Sequence, residues 1–328
     1  MMIKYRDFET NYSILDINNI DLKKLKPMRK CNIICGKKYG LPFDYLMTDV
    51  MSGCVSLRST CYGNCTAALY WIDRGYDFEK PTINIFDSTL FEKSVTDLPV
   101  NQKWLRQGWM SDCSLTDESW NLVANVSDIL KKYDISLLII TKVHRYPSID
   151  IMKKLAENNV EIRVSLSALD SEREIKKRFK FLLEYKDIGG ISIPYLMTAK
   201  YKNKILIDNQ NYIIKFVIDN DFIAGEHPLR ISVSNSLFKE LSEDGFYHPK
   251  YKNQYWFGRI LYNIDNFILP APTHLKPNYS LKYRSFSSIP KDKKIIGVCK
   301  NLPTYNDLKN NKYTKEMFDH ATYSMQKN

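Results

Sequence analysis

The chain has 328 residues, 44% of them hydrophobic, and a net charge of +11. That is enough apolar material for one large α/β domain or two ordinary ones, and it excludes wholesale disorder. No apolar run reaches the roughly 18 residues of a membrane span. Residues 1–16 mix Lys4, Arg6, Asp7 and Glu9 with apolar residues and lack a secretory h-region, so the expected compartment is the cytoplasm.

Residues 82–86 (TINIF) predict a strand after the break at Pro81. Residues 103–109 predict another, leading into a polar loop at 111–117. Thr116 is a helix cap with Ser119 three positions on. The helix it opens runs to about Tyr133, with Trp120, Val123, Val126, Ile129 and Leu130 on one stripe. Residues 136–141 (SLLIIT) are a continuous apolar run ending in polar residues, as in a buried strand. Residues 148–158 form an amphipathic helix with Ile151, Leu155 and Ala156 inward, and 160–167 (VEIRVSLS) the next strand. A helix over 172–185 puts Ile175, Phe179, Leu182 and Leu183 on its core stripe, and 190–196 is a further strand.

Strands alternating with helices imply parallel pairing. The expected fold class is α/β, as an open or closed (β/α) barrel, with a doubly wound sheet as the alternative. Further on, residues 203–207 and 212–218 read as a hairpin around 208–211, and 230–233 as a last barrel strand. Residues 237–241 and 255–264 read as helical, 270–288 as an ordered loop or tail, and 295–298 as one more strand. No linker interrupts the chain. The expected division is a barrel over 1–235, with a basic, aromatic C-terminal extension over 236–328 packed on it.

Seven cysteines in a reducing compartment point to metal or chemistry more than to disulfides. Cys54, Cys61 and Cys65 lie within twelve positions as C-x6-C-x3-C, and Gly53 and Gly63 permit a tight backbone around them. Three thiolates suit an iron–sulfur cluster or part of a zinc site; the plain alternative is three thiols with no metal. Cys31 and Cys35 are the candidates for a fourth ligand, although Ile33 and Ile34 between them favour packed thiols. Cys113 and Cys299 read as structural.

Polar residues gather where the predicted strands end: Asp87, Ser88, Arg106, Ser111, Asp112, Thr141, Lys142, His144, Arg163, Ser165, Ser167 and Tyr195. In parallel α/β folds that edge carries the site. Arg163, Ser165 and Ser167 alternate with Ile162, Val164 and Leu166, which gives one polar and one apolar face. A buried Arg163 needs a carboxylate, from Asp112 or Asp87, or a ligand anion. Toward the C-terminus, Tyr247, Tyr251, Tyr255, Trp256 and Phe257 interleave with Lys250, Lys252 and Arg259, which suits either a core or a nucleic-acid surface. No P-loop, nucleophile elbow or G-x-G-x-x-G motif occurs.

A three-cysteine motif near the start of a (β/α) series resembles the radical SAM superfamily. The spacing here is longer than that superfamily's C-x3-C-x2-C, and Asn64 stands where an aromatic usually precedes the last cysteine. The chain is more similar to a radical-SAM-like group of phage and bacterial proteins, the gene product 88 family. Arg106 and Asp112, Thr141 and Lys142, and Arg163 and Ser165 match its strand ends in order, while Thr66-Ala67 replaces its Tyr-Ala. The likeness covers residues 53–198. It implies a [4Fe-4S] cluster on Cys54, Cys61 and Cys65, with one iron open to S-adenosylmethionine. It also implies an external electron donor, cofactor contacts from the six matched strand-end residues, and Arg163 as a clamp on the cofactor carboxylate. The substrate class suggested by the basic C-terminal third is a nucleotide or nucleic acid. The alternative function is a non-catalytic nucleic-acid-binding protein with a structural iron–sulfur or zinc site.

Overall fold

The computed structural model describes residues 2–6, 12–16, 22–36, 47–55, 66–98, 104–108, 111–222, 224–232, 239–241, 246–247, 254–256 and 267–268. Its centre is a seven-stranded sheet: β1 (Met47–Thr48), β2 (Trp104–Gln107), β3 (Ser136–Thr141), β4 (Glu161–Ser167), β5 (Ile191–Thr198), β6 (Ala224–Pro228) and β7 (Phe267–Ile268). The strands lie side by side in chain order, and each pairing is parallel. A doubly wound sheet reverses its order at a switch point. No reversal occurs among the described strands.

The helices follow from capping and stripe. α1 is Thr66–Asp73 and α2 is Ser88–Thr96. α3 (Asp117–Lys132) opens on a reciprocal capping box between Thr116 and Ser119. Its stripe of Trp120, Val123, Val126 and Leu130 is wholly buried, each side chain contributing about 1.5–3 kcal/mol. α4 (Ile149–Glu157) starts on Ser148 and α5 (Glu172–Asp187) on Ser171, each hydroxyl accepting from a backbone N–H in the first turn. α3, α4 and α5 lie next to one another in that order. Ile162, Val164 and Leu166 of β4 join Leu137 and Ile139 of β3 in one core with Val123, Leu155, Ile175 and Leu182 of these helices. Glu161, Arg163, Ser165 and Ser167 take the opposite face, and every residue of β4 is buried on both sides.

The predicted hairpin at 203–218 is instead one helix, α6 (Lys204–Asp219). Asn203 caps it by accepting from the Ile205 N–H, and the Lys204–Asp208 and Lys215–Asp219 pairs brace its surface. Gln210, Ile213, Ile214 and Val217 form the buried stripe. The strand expected at 230–233 appears as Arg230–Ser232, antiparallel to Gln254–Trp256 in a separate small sheet that also holds Phe246–Tyr247. β6 and β7 therefore continue the central sheet in its place. Tyr255 and Trp256 are extended where a helix was expected; the rest of 257–264, with 270–288 and 295–298, lies outside the described residues. In the TINIF run only Thr82–Ile83 is a strand, antiparallel to Met51–Ser52 and apart from the central sheet. Among the described residues no helix is long and apolar enough to cross a membrane.

Candidate functional site

The cysteine loop begins at a fixed point. Gly53 bridges to Ser111, just beyond β2, and has φ +88°. A Cβ there would stand 2.8 Å from both the Phe78 carbonyl oxygen and Met28 Cγ. Cys54, the next residue, donates its N–H to that same carbonyl at 2.9 Å. Gly53→Ala is thus expected to cost about 1–3 kcal/mol and to shift Cys54. An unchanged urea midpoint would refute the constraint. Cys61 and Cys65, like Gly63, lie outside the described residues, and Cys65 immediately precedes α1.

The half-buried Cys54 places its Sγ 3.8 Å from His144 Nε2. The same nitrogen is 3.5 Å from Asp112 Oδ2. Asp112 is the hub of the strand-end ledge. Its Oδ1 accepts from the Ser114 N–H, the Ser114 hydroxyl and the Thr141 hydroxyl at 2.9, 2.7 and 2.7 Å; its Oδ2 accepts from the Lys142 N–H at 2.8 Å. Burial alone would raise this carboxyl, but His144 and these hydrogen bonds outweigh it and hold it below the ordinary carboxylate value. Burial pushes the His144 imidazole down, against an upward pull from Asp112.

A second cluster adjoins the first. Lys142 Nζ reaches the two Asp170 carboxylate oxygens at 2.7 and 3.0 Å. Arg178, wholly buried on α5, meets Asp170 at 2.7 Å and donates from Nε to the Lys142 carbonyl at 2.6 Å. Asp170 also accepts from the Ser167 N–H at the end of β4. The ends of β2, β3 and β4 are thus cross-linked by carboxylates, which join Asp112, Thr141 and Lys142, three of the residues expected at the strand ends.

Arg163 lies earlier along β4, on the face opposite Ile162 and Val164. The expected partners, Asp112 and Asp87, do not carry it: Asp112 belongs to the ledge and Asp87 caps α2. Its guanidinium Nε donates to Glu161 Oε1 at 2.6 Å, with both side chains wholly buried. Arg106 is buried on the same face, since Arg106 and Glu161 both stand level with Leu138 of β3. Ser165 stands level with the buried Tyr195. Sequence reasoning missed Glu161, Asp170 and Arg178. Glu161 was readable, being two residues from Arg163 on one strand. Asp170 carried the same strand-end signal as Asp112. Arg178 had none, because it interrupts an apolar helix stripe.

The donor chemistry at Cys54 fits a thiophilic metal or cluster. Among the described residues no group of three or more His, Cys, Asp or Glu side chains could hold a metal ion. The other described thiols are poor substitutes. Burial pushes Cys35 up to about 12, and burial together with Asp112 raises Cys113 well above the ordinary value, so neither readily becomes a thiolate. Cys31 is exposed. No family model matches this chain, and none of the curated proteins or solved structures matches it.

Proposed function

We propose that this chain is an iron–sulfur enzyme of radical SAM type, built on an open or closed (β/α) barrel and acting in the cytoplasm. Cys54, Cys61 and Cys65 hold a [4Fe-4S] cluster, and the strand-end ledge with the inner face of the sheet receives S-adenosylmethionine. One observation carries this reading. Cys54 lies at the carboxyl edge of an ordered parallel sheet, beside His144 and Asp112 from two successive strand ends; in such folds that edge holds the ligand.

A three-thiolate cluster, when bound, supplies an open iron for the amino and carboxylate groups of S-adenosylmethionine and the electron that cleaves it. The chain's own residues bind and orient. Asp112 fixes the backbone of Lys142 and the hydroxyl of Thr141. Asp170 balances Lys142 and Arg178, which keeps two cationic groups near His144 without leaving them unpaired. Glu161 holds Arg163 in one orientation, and a guanidinium so held matches a carboxylate. Arg106 and Ser165 line the same face. An external donor supplies the electron. The net charge of +11 favours a nucleotide or nucleic-acid substrate. The small sheet that joins Arg230, Tyr247, Tyr255 and Trp256 adds an aromatic, basic strand group.

The test is anaerobic incubation of the iron-loaded protein with S-adenosylmethionine and dithionite. Release of 5′-deoxyadenosine is expected. An iron-loaded protein that binds RNA or DNA in a salt-sensitive manner but neither binds nor cleaves the cofactor would replace this reading with a structural metal site.

A further inference from the structure

The backbone between Thr141 and His144 has a feature that the ledge alone does not explain. Val143 is wholly buried and has φ 48°. A β-branched residue is strained there. The turn persists because it is tied on both sides. The Lys142 N–H goes to Asp112, the Val143 N–H to the Thr141 hydroxyl at 2.9 Å, and the His144 N–H to the Ser114 hydroxyl at 2.9 Å. The His144 carbonyl accepts from Lys177 Nζ at 3.1 Å, and the Arg145 N–H binds the Ser114 carbonyl at 2.8 Å. Trp120 pins the same loop by donating from its indole to the Arg145 carbonyl at 3.0 Å. So many ties aim one side chain, and His144 Nε2 ends 3.8 Å from Cys54 Sγ, across 90 positions of sequence.

Two other roles for this histidine fit less well. In a Cys–His–Asp nucleophilic site the carboxylate holds one ring nitrogen while the other faces the sulfur. Here Asp112 and Cys54 approach the same nitrogen, so the carboxylate does not set the ring from behind. As a fourth protein ligand to a cluster, His144 would close the iron that the proposed function leaves open.

We infer that His144 is a positioning and tuning residue of the cysteine site: its Nε2–H donates to the Cys54 sulfur, and the strained Val143 turn serves to aim it. This rests on the cluster reading. A hydrogen bond to a ligating sulfur favours the more electron-rich, reduced cluster and so raises its reduction potential.

The experiment is anaerobic redox titration, followed by electron paramagnetic resonance, on the iron-loaded wild type and on His144→Leu, His144→Ala and His144→Gln. The Ala variant guards against poor packing of Leu. Leu and Ala are expected to keep wild-type iron content while the ratio of reduced to oxidised cluster at a fixed potential falls about tenfold, which is about 59 mV for one electron. Gln keeps an N–H donor and should recover much of the shift. Wild-type iron with an unshifted potential in both Leu and Ala overturns this inference alone. Loss of iron in those variants makes His144 a ligand and also overturns it. A wild type that binds no iron overturns the cluster reading itself and this inference with it.

Discussion

Replacing Cys54, Cys61 or Cys65 with Ala is expected to take the anaerobically prepared chain from about four irons to none, with loss of the broad absorption near 400 nm. The effect should be all or nothing. Three thiolates are the fewest that hold such a cluster, and two of the described cysteines are poor replacements for one. Cys35 is buried with its N–H on the Ser94 hydroxyl, and Cys113 is buried beside Asp112; both are held protonated. Cys35→Ala and Cys113→Ala should therefore keep their iron. Iron and sulfide analysis decides the matter. Full iron and sulfide in all three loop variants would end the assignment, and stoichiometric zinc in place of iron would make the site structural.

Arg163→Ala is expected to cost about 3–5 kcal/mol, because it removes the guanidinium that Glu161 meets at 2.6 Å in a wholly buried pair. The paired change Glu161→Gln with Arg163→Met should recover most of that, since it removes both charges at nearly constant volume. Urea unfolding of Glu161→Gln, of Arg163→Met and of the double variant measures the coupling. Additive losses would show that the two side chains do not act as a pair. Arg163→Lys separates the ligand role from the structural one. It keeps the charge but loses the fork, so the protein should fold and keep its iron. Affinity for S-adenosylmethionine should fall at least about tenfold, or roughly 1.4 kcal/mol. Unchanged affinity would leave Arg163 as an internal ion pair.

Where the physics is local, the sequence was a good guide. The SLLIIT run is β3 residue for residue, because a strand covered on both faces is apolar throughout. Thr116 and Ser119 cap α3 in the way their spacing implies. The alternation in β4 put Arg163 and Ser165 on one face. α6 was misread because Ile205, Ile207, Ile213, Ile214, Val217 and Ile218 are β-branched and the D-N-Q-N segment between them looks like a turn. The 3.6-residue stripe through Gln210, Ile213, Ile214 and Val217 outweighs those local preferences once a core exists to receive it. The site was legible as a collection of strand ends but not as a wiring pattern. Nothing in the order of residues says that Asp112 would be consumed by Ser114, Thr141 and Lys142, leaving Arg163 to Glu161. Nor does it say that Cys54 would meet His144. Such contacts depend on how neighbouring strands are staggered, which is a property of the assembled sheet.

The chain-order arrangement of the central sheet bears on how the molecule is made. A ribosome emits Cys54, Cys61 and Cys65 first, then the segments that contain Asp112, His144 and Arg178, and only later β6 and β7. At about 5–20 residues per second, the stretch from Arg178 to Ile268 takes on the order of ten seconds to synthesise. Since each strand docks on the one made just before it, a nascent chain can assemble the whole ledge beside Cys54 during that interval. The outer strands then join a sheet whose polar edge is already wired.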